Sequence, residues 1–247
     1  MSIVRHAVSQ QPPRVTSAEA MIDVVLEMGI VPFFENAIPG YSIEEMTPRE
    51  NWFDTQENLG FTPWDWKIAC VQNGDIAYGK FLLRGKAAFA TVEWYRELRN
   101  YRQSLPAFQP DKAQQQILDY LAENGSIGIK EVRGLLGIKK GQADALMTRL
   151  MMQCRVLTGD ITRVYRGPDL QYNGWQVSSF CTPEAFFDGG TPFAAFPGFP
   201  FADEPALTVK HSARESYERL VEKVRSLAPG ATDKQIAKLL GGLPDFS

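Results

Sequence analysis

Apolar and polar positions along this chain fall into stretches with distinct rhythms. Met21, Val24, Val25 and Met28 recur at helical spacing and predict a helix closed by Gly29, with Thr16 and Glu19 as its capping box. From 30 to 62 the rhythm is lost. Pro32, Pro39-Gly40 and Pro48 punctuate an irregular segment anchored by Phe33, Phe34, Tyr41, Trp52 and Phe53. Thr62-Pro63 reads as N-cap and first turn of a helix through Trp64, Trp66, Ile68 and Val71 that stops near Asn73-Gly74. Residues 76–91 predict a hairpin turning at Arg84-Gly85, and Thr91 or Val92 opens a further helix through Trp94, Leu98 and Tyr101. Ser104-Leu105-Pro106 begins a linker.

The next stretch is the most informative. Ala113, Ile117, Leu118 and Leu121 line a helix that ends at Asn124-Gly125. Ser126-Ile127-Gly128 is a short extended piece, and Ile129, Val132, Leu135 and Leu136 form the apolar side of a second helix broken by Gly137. A third helix places Ala143, Met147, Leu150, Met151 and Cys154 on its buried side. Val156 to Tyr165 favours strand, Gly167-Pro168-Asp169 turns it, and Gly174 to Phe180 returns. Helix, short strand, helix, turn, helix, hairpin is the order of a winged helix-turn-helix. Downstream, Thr182-Pro183-Glu184 starts a short helix. Ser212 with Glu215 caps a helix through Tyr217, Leu220, Val221, Val224 and Leu227, and Thr232 with Gln235 caps a last one through Ile236 and Leu239.

The fold class is therefore α+β and helix-rich, with one winged helix-turn-helix module, or two in tandem, and C-terminal helices. The expected division is a flexible tail over 1–15, an N-terminal α/β winged-helix-like domain over 16–104, and the winged helix-turn-helix domain over 110–187. A Gly/Pro/Phe-rich strap over 188–210 and a helical tail over 211–247 follow. Phe193, Phe196, Phe199 and Phe201 in the strap either pack on the domain surface or wrap a protein partner through residues 188–208.

Composition narrows the function classes. Apolar residues are 44% and charged residues 22%, an ordinary globular balance. No apolar run is long enough to span a membrane, and the first residues lack the apolar core of a signal peptide, so a cytoplasmic protein is expected. The three cysteines, Cys70, Cys154 and Cys181, lie far apart, and the two histidines are His6 and His211. That argues against a zinc site, a disulfide framework and a Ser-His-Asp triad, and no cofactor is implied. Net charge is −3 but unevenly spread: residues 15–75 hold eleven acids against Arg49 and Lys67, whereas residues 110–167 hold nine bases against six acids. An acidic lobe beside a basic one orients a polyanion such as duplex DNA, although ordinary solvated charge accounts for so small an excess equally well.

In a winged helix the third helix enters the major groove and the wing touches the flanking backbone. Its expected readers here are Gln142, Thr148 and Arg149, with Lys139 and Lys140 at its start and Arg155, Arg163 and Arg166 on the wing. The stretch 84–102 adds Arg84, Lys86, Arg96, Arg99 and Arg102 as phosphate contacts. Gln72-Asn73-Gly74-Asp75 offers amides and a carboxylate that either orient a water or simply cap a helix, and capping alone explains those residue types. Trp64 and Trp66 either stack a nucleobase or pack in the core. No Gly-rich phosphate loop, paired carboxylate motif or nucleophile elbow is present.

Five segments carry a family resemblance: Pro63-Trp64-Asp65-Trp66-Lys67, Ala77-Tyr78-Gly79-Lys80-Phe81, Gly85-Lys86-Ala87-Ala88-Phe89, Glu93-Trp94-Tyr95 and Asn100-Tyr101-Arg102. With Gly174-Trp175, Thr182-Pro183-Glu184 and the helical tail, they resemble bacterial AlkZ-related proteins over most of residues 15–241. The resemblance extends distantly to AlkZ-like winged-helix DNA glycosylases, which excise alkylated bases and unhook crosslinks with tandem winged helices and a Gln-x-Gln or Gln-x-Asp motif. Gln72-Asn73-Gly74-Asp75 has a different spacing, and Gln153 follows Met151 where a second glutamine would stand, so no catalytic residue carries over. The resemblance implies winged-helix architecture and a link to DNA. The expectation is a DNA-binding protein; a diverged glycosylase with Trp64 or Trp66 holding a flipped base, and a protein-interaction module, are the alternatives.

Overall fold

The computed structural model describes residues 15–53, 61–83, 85–188 and 205–241. The expected tail over 1–15 lies outside them apart from Val15, as do the strap phenylalanines and Arg84. Among the described residues the class is α+β, with ten helices and two small antiparallel sheets.

A first unit runs α1 (Ala18–Met28), β1 (Ile30–Pro32), α2 (Ile43–Met46), α3 (Pro63–Gln72), β2 (Ile76–Leu82) and β3 (Lys86–Thr91). A second runs α5 (Lys112–Asn124), β4 (Ile127–Gly128), α6 (Ile129–Leu136), α7 (Lys140–Met152), β5 (Leu157–Arg166) and β6 (Gln171–Cys181). Both sheets share one topology: the short strand pairs antiparallel with the returning hairpin strand, in the orders β1-β3-β2 and β4-β6-β5. The correspondence extends to the joints. The first helix of each unit ends on a glycine of nearly the same conformation, Gly29 at φ 75° ψ −35° and Gly125 at φ 77° ψ −37°. That backbone is one a side chain resists, so each glycine turns the chain directly into its short strand. Two residues after α3 and α7 the backbone again takes positive φ, at Gly74 (85°) and Cys154 (53°). The order is compatible with a winged-helix-like class.

The sequence patterns mark most element ends, with local corrections. Ser17, not Thr16, caps α1 and accepts from the Ala20 N–H at 3.1 Å. The irregular 30–62 segment contains β1 and α2, because Ser42 caps a short helix whose Ile43 and Met46 are buried. Asp111 and Gln114 form a reciprocal capping box on α5 that the apolar pattern does not signal. Leu135, expected inside, is 43% exposed. Cys154 is buried, but beyond the end of α7.

The main core gathers Met21, Val25, Ile30, Phe33, Phe81 and Phe89 from the first unit with Leu98 and Tyr101 of α4 (Val92–Gln103). Leu220 and Val224 of α9 (Ala213–Leu227) and Leu239 and Leu240 of α10 (Asp233–Leu240) complete it, so these C-terminal helices help to close the first unit's core. A separate cluster of Ile117, Leu121, Val132, Met147, Leu150 and Phe180 fills the second unit. Ile68 and Val71 of α3 bury Ile161 of β5 in a third, small cluster that joins the two. α8 (Pro183–Phe187) follows β6 as α4 follows β3.

Candidate nucleic-acid interface

Helix α7 turns Ala143, Met147, Leu150 and Met151 inward. A second side of it lies on the first unit: the Met151 sulfur accepts from the Lys80 N–H of β2 at 3.2 Å, and Thr148 packs against Gly85 of the β2–β3 turn. What remains open to solvent is the stripe Gln142, Ala145 and Arg149. The neighbouring exposed cations are Lys139 and Lys140 at the start of α7, with Lys130 and Arg133 on α6. None of these four, nor Arg149, nor Arg166 on β5, pairs with a carboxylate among the described residues. The winged-helix order points to the third helix and not to Lys130 and Arg133; their place outside the apolar stripe of α6 is the signal the sequence holds for them.

The structure separates the sequence-predicted contacts into two groups. Lys139, Lys140, Arg149, Arg166 and Lys86 are exposed, and Lys86 stands beside the turn that touches Thr148. Most of the others that the structure describes are engaged. Arg102 is a correction: it is fully buried, with its guanidinium donating to the carbonyls of Phe81, Met152 (2.8 Å) and Leu240 (2.8 Å). A side chain so placed cannot reach a phosphate; it ties β2, the end of α7 and α10 together. Arg163 donates to Asp65 at 3.2 Å, Arg99 pairs with Glu184, and Arg155 donates to Gln109 at 3.1 Å. Arg96 is half-buried on α4. The Gln142 carbonyl accepts from the Lys139 N–H at 3.0 Å, so it caps α7 rather than standing free as a reader.

Asp65 organises the wing. Its carboxylate is nearly buried and accepts from Arg163 Nε (3.2 Å), the Tyr172 hydroxyl (2.9 Å), Gln176 Nε2 (3.3 Å) and Thr62 Oγ1 (3.1 Å). The sequence places Asp65 among the tryptophans but cannot show this role, since its partners lie about a hundred residues away. Beyond this clasp the hairpin exposes Tyr165, Leu170, Trp175 and Val177, each more than half accessible, and Arg166 lies over the Trp175 ring at 5.7 Å.

Between the units a cleft of about 740 Å³ opens, bounded by Glu19 of α1, Asp65 and Gln72 of α3 and Asp160 and Arg163 of β5. Phe61 and Tyr165 are exposed at its walls. Trp66 is core, whereas Trp64 is partly exposed and packs edge-on against Phe33 and Trp52. Gln72 is the last residue of α3, and Asn73 accepts from the Asp75 N–H at 3.3 Å, the capping expected of that run. Burial pushes the Cys70 and Cys181 thiols up to about 12, which removes them as thiolate nucleophiles near neutrality. Among the described residues no group of three or more His, Cys, Asp or Glu is placed to hold a metal. No described helix is long and apolar enough to cross a membrane.

The family model described as AlkZ related matches residues 15–241. The chain belongs to the AlkZ-related family. None of the curated proteins and none of the solved structures matches it. Membership in the AlkZ-related family points to a DNA-repair or DNA-binding type of protein, and both units lie within the matched span.

Proposed function

We propose that this chain binds duplex DNA through the solvent face of α6 and α7 together with the tip of the β5–β6 wing, in the manner of a winged helix. One observation carries the reading: Lys130, Arg133, Lys139, Lys140, Arg149 and Arg166 stand exposed without carboxylate partners among the described residues, in a chain of net charge −3. Uncompensated cations on one unit of an acidic protein release counterions from a phosphate backbone. The same geometry limits base reading. Gln142 is spent on a cap and Thr148 faces Gly85, so of the three expected readers only Arg149 keeps a free end. Binding through charge and shape, with little sequence discrimination, is the form this surface supports.

The test is fluorescence-anisotropy titration of a duplex at several salt concentrations, with wild type and a Lys139→Ala, Lys140→Ala, Arg149→Ala variant. The expected result is weaker binding on every sequence and a salt slope shallower by about two to three. An unchanged affinity and slope would remove this face from the site.

The cleft favours a second reading, a diverged glycosylase, because it sets the Gln72 amide and the Asp160 carboxylate beside the exposed Phe61 and Tyr165 rings. An extruded base could be stacked and hydrogen-bonded there. Release of an alkylated base from damaged duplex would support it, and its failure under saturating binding would count against it. The interaction-module alternative rests on strap residues outside those described.

A further inference from the structure

A second, smaller cavity of about 230 Å³ lies where β2 meets α7, lined by residues of both units. Lys67 of α3 and Lys80 of β2 line it, with Asp144 and Thr148 of α7, Thr158 of β5 and Ser178 of β6. Lys67 is unusual among the lysines. It is partly buried, with no carboxylate and no hydrogen-bond acceptor among the described residues, and its Nζ lies 5.2 Å from the centre of the Trp64 ring. Loss of water contact lowers its pKa to about 8, and the negative charge of Asp65 only partly opposes that shift. Asp65, two positions away on the same helix, faces another side of it and is engaged by Arg163, Tyr172 and Gln176. At pH 7.5 about a quarter of such an amine is neutral, against about a thousandth for an ordinary lysine. A desolvated lysine lining a small cavity, with apolar walls such as Ile129, Met147 and Phe180 and a few hydroxyls, is the arrangement that makes an amine nucleophilic toward carbonyl carbon.

We propose that Lys67 is an imine-forming nucleophile for an aldehyde that carries a phosphate, with Lys80 holding the phosphate at the cavity rim. Lys80 is exposed and has no carboxylate partner among the described residues, so it is available for that charge. The neutral Lys67 Nζ adds to the aldehyde carbon, and one amine proton passes to the former carbonyl oxygen to give a carbinolamine. Thr148, Thr158 and Ser178 offer hydroxyls to hydrogen-bond that oxygen. Protonation of the hydroxyl by solvent releases water and leaves the imine. Amine plus aldehyde thus gives imine plus water, with no oxidant or reductant. The chemistry has two sources: a free sugar phosphate in its open-chain form, or the open-chain sugar of an abasic site between two DNA phosphates. The second source rests on the DNA-binding reading, and the first does not.

The experiment is reductive trapping of the full chain with borohydride and mapping of the adduct by peptide mass spectrometry. One arm uses 2-deoxyribose 5-phosphate, the other a duplex with one abasic site, and anisotropy on the same samples reports DNA binding separately. Adduct on Lys67 in either arm is expected, with a trapping rate that reaches half its maximum near pH 8. Lys67→Arg, which keeps the charge and cannot form an imine, should abolish it while the thermal melt stays in place. Lys80→Ala should weaken trapping of the phosphorylated sugar and leave trapping of phosphate-free deoxyribose unchanged. Labelling spread over surface lysines, equal labelling of Lys67→Arg, or none in either arm overturns the proposal. DNA binding without any Lys67 adduct sinks this inference alone; adduct with the free sugar in the absence of DNA binding sinks only the other reading.

Discussion

In the first unit the helix that precedes the hairpin, α3, is covered by α1 on one side and by β5 on another, and six of its ten residues are buried. In the second unit the corresponding helix, α7, buries four of thirteen and keeps an open stripe ending in Arg149. The two share an order of elements, a sheet topology and the same glycine joint, so backbone architecture does not separate them. What separates them is what packs on the outside. C-terminal helices close the first unit into the main core, while the second keeps a small core of its own and turns cations outward. One copy of the architecture has become the platform, and the other is held against it to present a surface.

The comparison can be broken most severely at Arg102, the side chain that ties platform to presented unit. Arg102→Ala leaves the buried carbonyls of Phe81 and Leu240 and the half-buried carbonyl of Met152 without this donor. Leaving such groups unpaired costs upward of 3 kcal/mol, read as a fall in the denaturant midpoint. A midpoint within error of wild type would show that the units stand independently. Asp65→Ala comes next, with an expected loss of about 2 kcal/mol, since the Tyr172 hydroxyl loses its acceptor and Arg163 its carboxylate, while Gln176 keeps the Trp64 carbonyl and the Tyr172 oxygen. Faster amide exchange in residues 171–176, with exchange in α5 unchanged, would locate that loss in the wing; slow exchange there would assign the wing's order to the hairpin itself.

A smaller effect sharpens the α7 contact. Gly85 has φ of 96°, and a Cβ there would lie 2.7 Å from the Thr148 methyl. Gly85→Ala should cost about 1–2 kcal/mol through backbone strain and a displaced turn. Gly85→Ala combined with Thr148→Ser should recover part of this, and no recovery would place the cost in φ alone. The smallest effect distinguishes presentation from support: Arg149→Ala should weaken duplex binding several-fold with an unchanged melt, about 1 kcal/mol of phosphate interaction. Arg163→Ala should do the reverse, lowering stability before it alters affinity. If the two variants behave alike, Arg163 contacts DNA directly despite its bond to Asp65.

Apolar periodicity and turn chemistry determined the elements of this chain. The helices through Met21 to Met28, Ile117 to Leu121 and Ala143 to Met151, the hairpins at 76–91 and 156–180, and the capping boxes at Ser212 and Thr232 all follow from local spacing, because helix and strand periods and cap hydrogen bonds involve residues a few positions apart. The winged-helix order likewise puts Arg149 on the outer face of its helix, and it is exposed. Tertiary structure alone decided which arginines were free. Arg102 and Arg149 look alike in sequence, yet one ends among three carbonyls from distant segments and the other in water. The same holds for Asp65 and Lys67, two residues apart on one helix: one is claimed by partners about a hundred residues downstream, and the other meets the Trp64 ring and, among the described residues, no carboxylate, beside a cavity. A charge's fate depends on what long-range packing brings to its end, and local pattern carries no record of that.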